Sequence, residues 1–149
     1  MVDPSVLRAI HVAGAVLLLG NVTVTGFWAA YFYRARKQVP FRSVARAILW
    51  ADLVFTLVGA AMLVVSGVLL VRARGYTIAD TPWLQRGIAA LVVSSTLWLA
   101  FLLPDQWRLE RIDPADDYGL SRLFRRWSVV GWTATLFLFY GLWVMVSKR

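Results

Sequence analysis

One histidine, an arginine one turn before it and two distant side chains have the types needed to bind a haem. His11 is the only histidine of the chain, and Arg8 precedes it by three residues, so both lie on one face of a helix. A neutral imidazole and a thioether are axial ligands of haem iron, and His11 can supply the first of these groups and Met62 or Met145 the second. Arg8 and Arg86 can pair with the carboxylates of the macrocycle through charge-assisted hydrogen bonds. These residues predict a haem b or related tetrapyrrole site, with His11 as an axial ligand of the iron.

A carboxylate and an amide also lie inside apolar segments. Asp52 stands near the start of the run DLVFTLVGAAMLVVSGVLL, and Asn21 stands in the first apolar run of the chain. A charged side chain within a bilayer costs about 3 kcal/mol on insertion scales, so it faces a partner or a water-filled cavity. The sequence therefore predicts an inner polar cluster of Asp52 and Asn21.

Four apolar segments must position these residues. About 20 apolar residues cross a hydrocarbon core, and a helix keeps the backbone hydrogen-bonded there. Asp3 with Pro4, and Thr81 with Pro82, are helix start signals, whereas Pro104 is expected to end the third helix before a surface loop. The sequence predicts an all-α integral membrane four-helix bundle, a single domain over residues 1–149, with helices at about 4–34, 44–72, 82–103 and 122–147.

The composition agrees with a membrane protein and excludes other classes. Hydrophobic residues make up 60% of the chain and charged residues only 16%, which is unlike a soluble domain. There is no cysteine, which excludes disulfides, thiolate metal sites and cysteine nucleophiles. The net charge of +8 comes from short basic clusters between apolar segments, which indicates topology signals and not nucleic-acid binding. The first apolar run is too long for a signal-peptide core, so we expect it to remain in the mature protein.

The basic residues predict the orientation of the bundle. The connectors after the first and third helices contain ten Lys or Arg, and the opposite side contains five, with Arg86 left aside. The positive-inside rule then places both termini outside the cytoplasm, in a multi-pass protein of the bacterial cytoplasmic membrane. In this orientation Arg8, His11 and Arg86 are expected to converge near the outer face, with Asp52 near the inner face.

Four stretches of the chain resemble a known family. VLRAIHVAGAVLLLGN, WADLVFTLVG with VSGVLL, TPWLQRG and SRLFRRWSVVGW resemble the bacterial predicted integral membrane proteins designated DUF2269, along nearly the whole chain. More distantly, the chain is similar to HemJ-type protoporphyrinogen oxidases and to the membrane part of CopD-like copper proteins. The HemJ resemblance implies that His11 ligates haem, that Met62 is the second ligand, and that Arg86 matches a basic residue after a Trp-Leu pair.

Three functions are compatible with these residues. The first is a haem-binding or tetrapyrrole-binding redox protein, whose enzymatic activity would be oxidation of a membrane-soluble porphyrinogen. The second is a non-catalytic structural or accessory membrane subunit, in which His11, Arg8 and Arg86 form interhelical hydrogen bonds or bind lipid headgroups. The third is transport of copper or a small solute, with His11, Met62 and Met145 as ligands. A homodimer or a complex with a membrane partner subunit is expected in each case.

Overall fold

Four apolar helices form in residues 3–113 and 115–148, which the computed structural model describes. Their bounds are α1 Pro4–Arg34, α2 Phe41–Arg74, α3 Pro82–Arg111 and α4 Asp117–Ser147. Each is long and apolar enough to cross a membrane, and no strand occurs in those two ranges. The predicted all-α membrane fold of four helices is therefore confirmed, and the orientation of its termini stays a prediction.

The starts of α1 and α3 differ in how they are capped. The Asp3 carboxylate accepts a hydrogen bond from the backbone N–H of Ser5 at 2.9 Å, and Pro4 follows as the first helical residue. That hydrogen bond lowers the pKa of the Asp3 carboxyl group. Thr81 precedes α3 as predicted, but its side chain makes no capping hydrogen bond. Its hydroxyl instead donates to the carbonyl of Thr77 at 2.7 Å.

The second helix is slightly longer at both ends than the predicted range of about 44–72. It begins at Phe41, directly after Pro40, because the Phe41 ring is buried and extends the packed face by a turn. It ends at Arg74 and is followed by Gly75, whose φ of 66° lies in the left-handed region where glycine is favoured. The N–H of Tyr76 then donates to the carbonyl of Val71 at 3.1 Å and closes the helix end.

The prediction that Pro104 ends the third helix is wrong. A π-helical turn, Trp98–Leu102, ends two residues before Pro104, and the Leu103 N–H donates to the carbonyl of Trp98. The α-helix resumes at Leu103, so Pro104 occupies its first turn, where a missing N–H costs little. The helix continues to Arg111, eight residues beyond the predicted end.

The surface loop predicted after Pro104 is correspondingly short. The fourth helix begins at Asp117 and not near residue 122. The carboxylate of Asp116 caps it by accepting a hydrogen bond from the N–H of Gly119 at 2.8 Å. Residues of the predicted loop therefore belong to α3 and α4 and pack in the bundle.

The helices pack as two pairs, α1 with α2 and α3 with α4. In the first pair, a Cβ on Gly14 would lie 2.9 Å from the carbonyl oxygen of Gly59, so the two backbones touch there. In the second pair, a Cβ on Gly141 would lie 3.3 Å from the Cβ of Ala90. Both of these close approaches join helices of the same chain, so Gly59 and Gly141 serve packing within the bundle.

The two pairs join at one end of the bundle. We call the end at which α1 leads into α2 and α3 into α4 the connector end, and the opposite end the terminus end. At the connector end the segments Phe41–Ala51 and Leu103–Arg111 pack together, and Tyr33 stacks on Phe124 with ring centroids 3.9 Å apart. Toward the terminus end, no described Cα of Leu57–Arg74 lies within 8 Å of α4 or of Pro82–Leu97. The described backbone contacts of α2 with α3 and α4 are therefore confined to the connector end.

Candidate functional site

Asp52 is the centre of a buried hydrogen-bonded cluster at the connector end. Only 5% of its surface is exposed. The side-chain N–H₂ of Asn21 donates to one Asp52 carboxylate oxygen at 2.7 Å and to the hydroxyl oxygen of Thr56 at 3.1 Å. The other carboxylate oxygen accepts from the side-chain amide of Gln106. The structure thus brings together Asp52 and Asn21, the two residues of the predicted inner polar cluster, and adds Gln106 from α3.

A π-helical turn positions Asp52. The residues Asp52–Thr56 form one wide turn between the α-helical parts Phe41–Ala51 and Leu57–Arg74 of α2. Both Asp52 and Thr56 are buried, and both reach Asn21 on α1. Turns of this type occur frequently at functional sites. The second π-helical turn, Trp98–Leu102, comes four residues before Gln106, so each side of the Asp52–Gln106 contact is close to one such turn.

Sequence reasoning missed Gln106 because Pro104 was interpreted as the end of a helix. Gln106 is 2% exposed and lies in the part of α3 that was predicted to be a surface loop. The signal that could have found it is the spacing of Leu102, Asp105, Gln106 and Leu109, all buried in the structure. That spacing of three, four and seven residues is typical of one buried helix face.

Asp105, the neighbour of Gln106, has a separate structural role. Its carboxylate is buried and accepts hydrogen bonds from the Arg126 guanidinium, one of them at 2.8 Å from Nε. Arg108 lies at 3.4 Å from the same carboxylate. This ion pair connects α3 to α4 and does not contact Asp52 directly.

A cavity of about 190 Å³ lies beside the cluster, between the four helices. Asp52, Thr56 and Gln106 form part of its wall, together with the indole rings of Trp98 and Trp127. Leu57, Leu99 and Trp132 also line it, and each of these is about half exposed on the apolar outside of the bundle. The cavity therefore extends from the buried carboxylate toward the lipid-facing surface.

Three polar atoms of the residues that line this cavity are buried without a hydrogen-bond partner. They are the Gln106 side-chain oxygen and the indole N–H groups of Trp98 and Trp127. Buried polar atoms are nearly always hydrogen-bonded, so each such exception needs an explanation. All three atoms belong to residues of one cavity wall, which offers two free donors and one free acceptor as candidate partners for a polar molecule.

His11 lies in the other half of the bundle and connects α1 to α2. Its Nδ1 lies 2.9 Å from the carbonyl oxygen of Leu63 and 3.2 Å from the hydroxyl oxygen of Ser66. The ring packs against Gly67, where a Cβ would come within 3.1 Å of the imidazole Cε1. The imidazole is half-buried. The geometry is that of an interhelical hydrogen bond between a side chain and a backbone carbonyl.

The helix segments that carry Arg8 and Arg86 are not in backbone contact, and the predicted convergence of Arg8, His11 and Arg86 stays a prediction. Arg8 and Arg86 are both exposed, and no described Cα of α1 lies within 8 Å of the Pro82–Leu97 part of α3. The physical reason is that this part of α3 packs on α4 through Gly87 and Gly141 instead of on α1. The positive charges of the two arginines stand on separate helix pairs.

Met62 lies in the contact between α1 and α2. A Cβ on Gly14 would be 3.0 Å from the Cβ of Met62, 2.9 Å from the oxygen of Gly59 and 2.9 Å from the nitrogen of Leu63. The two helix backbones therefore leave no slot between them for a flat macrocycle at this level. A haem held between His11 and Met62, as predicted, does not fit this arrangement.

The four apolar helices and their lipid-facing surfaces define a helical integral membrane protein. A family model matches residues 5–149, and the chain belongs to that family, DUF2269, described as a predicted integral membrane protein. No curated protein and no solved structure matches the chain. The resemblance to DUF2269 is confirmed, whereas the more distant similarity to HemJ-type oxidases and CopD-like proteins stays a prediction.

Proposed function

We propose that this protein is a non-catalytic membrane subunit with a structural or accessory role, in which His11 holds two helices together. The observation that carries the proposal is the contact of His11 Nδ1 with Leu63 and Ser66, which uses the only imidazole of the chain between α1 and α2. Hydrogen bonds of this kind between membrane helices contribute to association where the hydrophobic effect does not.

The exposed arginines suit the same role. Arg8 and Arg86 stand near the terminus end on different helix pairs and are open to their surroundings. At the membrane interface a guanidinium can bind lipid phosphate or an acidic group of a partner subunit. Exposed apolar side chains on the same helices offer a partner, or a second copy of this chain, an apolar surface beside these charges.

The test compares pigment and stability in the purified protein and its His11→Ala variant. We expect a wild type without a Soret band from haem-replete cells, whether oxidised or reduced. We expect His11→Ala to lose about 1 kcal/mol of unfolding free energy, the scale of an interhelical hydrogen bond in a membrane. Val12→Ala, at the neighbouring exposed position, is the control and should unfold like the wild type. A Soret band that disappears only in His11→Ala would contradict the proposal.

Haem binding is the second candidate, and one observation favours it. When a histidine ligates a metal through Nε2, its Nδ1–H commonly donates to a backbone carbonyl, as the Leu63 carbonyl allows for His11. A tetrapyrrole on His11 would need to lie outside the contact between α1 and α2, with a second ligand other than Met62. The spectra described above decide between the two candidates. Oxidation of a porphyrinogen would require that haem be bound, and no further residue of the chain points to that activity.

Nothing in the described residues supports copper or solute transport. Met62 and Met145 belong to segments, Leu57–Arg74 and α4, that have no Cα atoms within 8 Å of each other. In residues 3–113 and 115–148 no three His, Cys, Asp or Glu side chains lie together as a candidate metal site. The methionines and His11 therefore do not form the shared ligand set that this function requires.

A further inference from the structure

Several hydrogen-bonding groups of the residues that line the cavity beside Asp52 have no partner. Trp98 and Trp127 each have a buried indole N–H without an acceptor, and Gln106 has a buried side-chain oxygen without a donor. Trp127 and Gln106 are 8% and 2% exposed, so bulk water does not satisfy them. An occupant that satisfies all three groups must both accept and donate hydrogen bonds.

Asp52 adds a further acceptor to the same wall. Its carboxylate accepts from the amides of Asn21 and Gln106, and a carboxylate has about four lone-pair sites. No described Lys, Arg or His side chain lies within 4 Å of its oxygens. The carboxylate can therefore accept another hydrogen bond from an occupant that carries an O–H or N–H group.

The size and position of the cavity narrow the class of occupant. A protein cavity of about 150 Å³ is known to take a benzene ring, and this one measures about 190 Å³. Its opening is lined by Leu57, Leu99 and Trp132, all apolar and facing lipid. An inorganic ion would meet no polar side chain among these three. A molecule dissolved in the bilayer could reach the cavity directly.

We propose that this cavity binds the ring of a membrane-soluble quinone or hydroquinone. One ring hydroxyl donates to the side-chain oxygen of Gln106, beside the Asp52 carboxylate. Ring oxygens accept from the indole N–H groups of Trp98 and Trp127, and the hydrocarbon tail passes Leu57 and Leu99 into the lipid. This site is distinct from His11 and does not depend on the role proposed for that residue.

The test measures binding of a radiolabelled benzohydroquinone with a short alkyl tail to the whole protein in lipid nanodiscs. The alkylbenzene with the same tail but no oxygens is the ligand control. Trp127→Phe removes one indole N–H while keeping an aromatic ring, and Gln106→Leu removes the free oxygen. Thr23→Val is the matched control, since the Thr23 hydroxyl oxygen is also buried without a partner but does not line the cavity.

We expect saturable binding of the hydroquinone to the wild type and to Thr23→Val with equal dissociation constants. Trp127→Phe and Gln106→Leu should each raise the dissociation constant about fivefold to tenfold, the scale of a lost hydrogen bond. Equal binding by all four proteins, or equal binding of the alkylbenzene, would overturn recognition of the ring oxygens. An absence of saturable binding would also overturn the proposal and is the result expected if only waters fill the cavity. Trp127→Phe decides the outcome should Gln106→Leu fail to fold.

Discussion

At the scale of single residues, Asp105 shows how a buried charge can connect two membrane helices. Its carboxylate is 1% exposed, whereas the Arg126 side chain is about half exposed and reaches inward to it. Removing one partner of a buried ion pair leaves an uncompensated charge, which costs more than the pair itself contributes. Substitution of Arg126 and substitution of Asp105 should therefore lower the free energy of unfolding by different amounts.

Arg126→Leu should lower the unfolding free energy by about 3 kcal/mol, because the Asp105 carboxylate then stays buried with only the more distant Arg108 nearby. The measurement is denaturant unfolding in detergent micelles, followed by circular dichroism. Arg125→Leu is the control, since Arg125 is exposed on the same turn of α4. Equal losses in both variants would show that the general charge of this helix, and not the ion pair, supports stability.

The polar residues of the site could be predicted only in part. A carboxylate in an apolar segment must have partners, and that requirement led from Asp52 to Asn21, which the structure places at hydrogen-bond distance. Gln106 was missed because a proline commonly ends a helix, and the π-helical turn that accommodates Pro104 has no local sequence signal. The helix segments that carry Arg8 and Arg86 have no described Cα pair within 8 Å, because shared depth in a membrane does not make two helices neighbours.

At the scale of helices, small residues decide which pairs form. Gly14 and Gly59 allow α1 and α2 to touch by their backbones, and this contact fixes the level at which His11 meets Leu63. The apolar content and approximate bounds of the helices could be predicted from the sequence. The partner of each helix could not, because lipid tails are as apolar as the side chains and the choice depends on shape.

Gly14→Ala should separate α1 from α2 and destabilise the protein, because the new methyl group would lie 2.9 Å from backbone atoms of Gly59 and Leu63 that cannot rotate away. We expect a loss of about 2 kcal/mol, within the range for overpacked sites, measured by thermal unfolding. Gly20→Ala on the same helix has nothing within 4 Å and should be neutral or slightly stabilising. A neutral Gly14→Ala would contradict the close backbone contact.

At the scale of the whole molecule, the predicted orientation can be measured directly because the chain contains no cysteine. Single substitutions Ala79→Cys and Lys37→Cys place a thiol in the loop at the terminus end and in the first connector. With a membrane-impermeant maleimide on intact cells, we expect Ala79→Cys to react and Lys37→Cys to react only after permeabilisation. The reverse pattern would place both termini in the cytoplasm.

A bundle whose helix pairs join at one end is unequally stiff along the membrane normal. Toward the connector end, aromatic rings and helix extensions cross from one pair to the other, so lateral pressure from that leaflet acts on a closed structure. In the opposite leaflet, Leu57–Arg74 has no described Cα within 8 Å of Pro82–Leu97 or of α4, so fewer backbone contacts restrain the two pairs there. We therefore expect a change of bilayer thickness to deform the terminus end of the bundle more than the connector end.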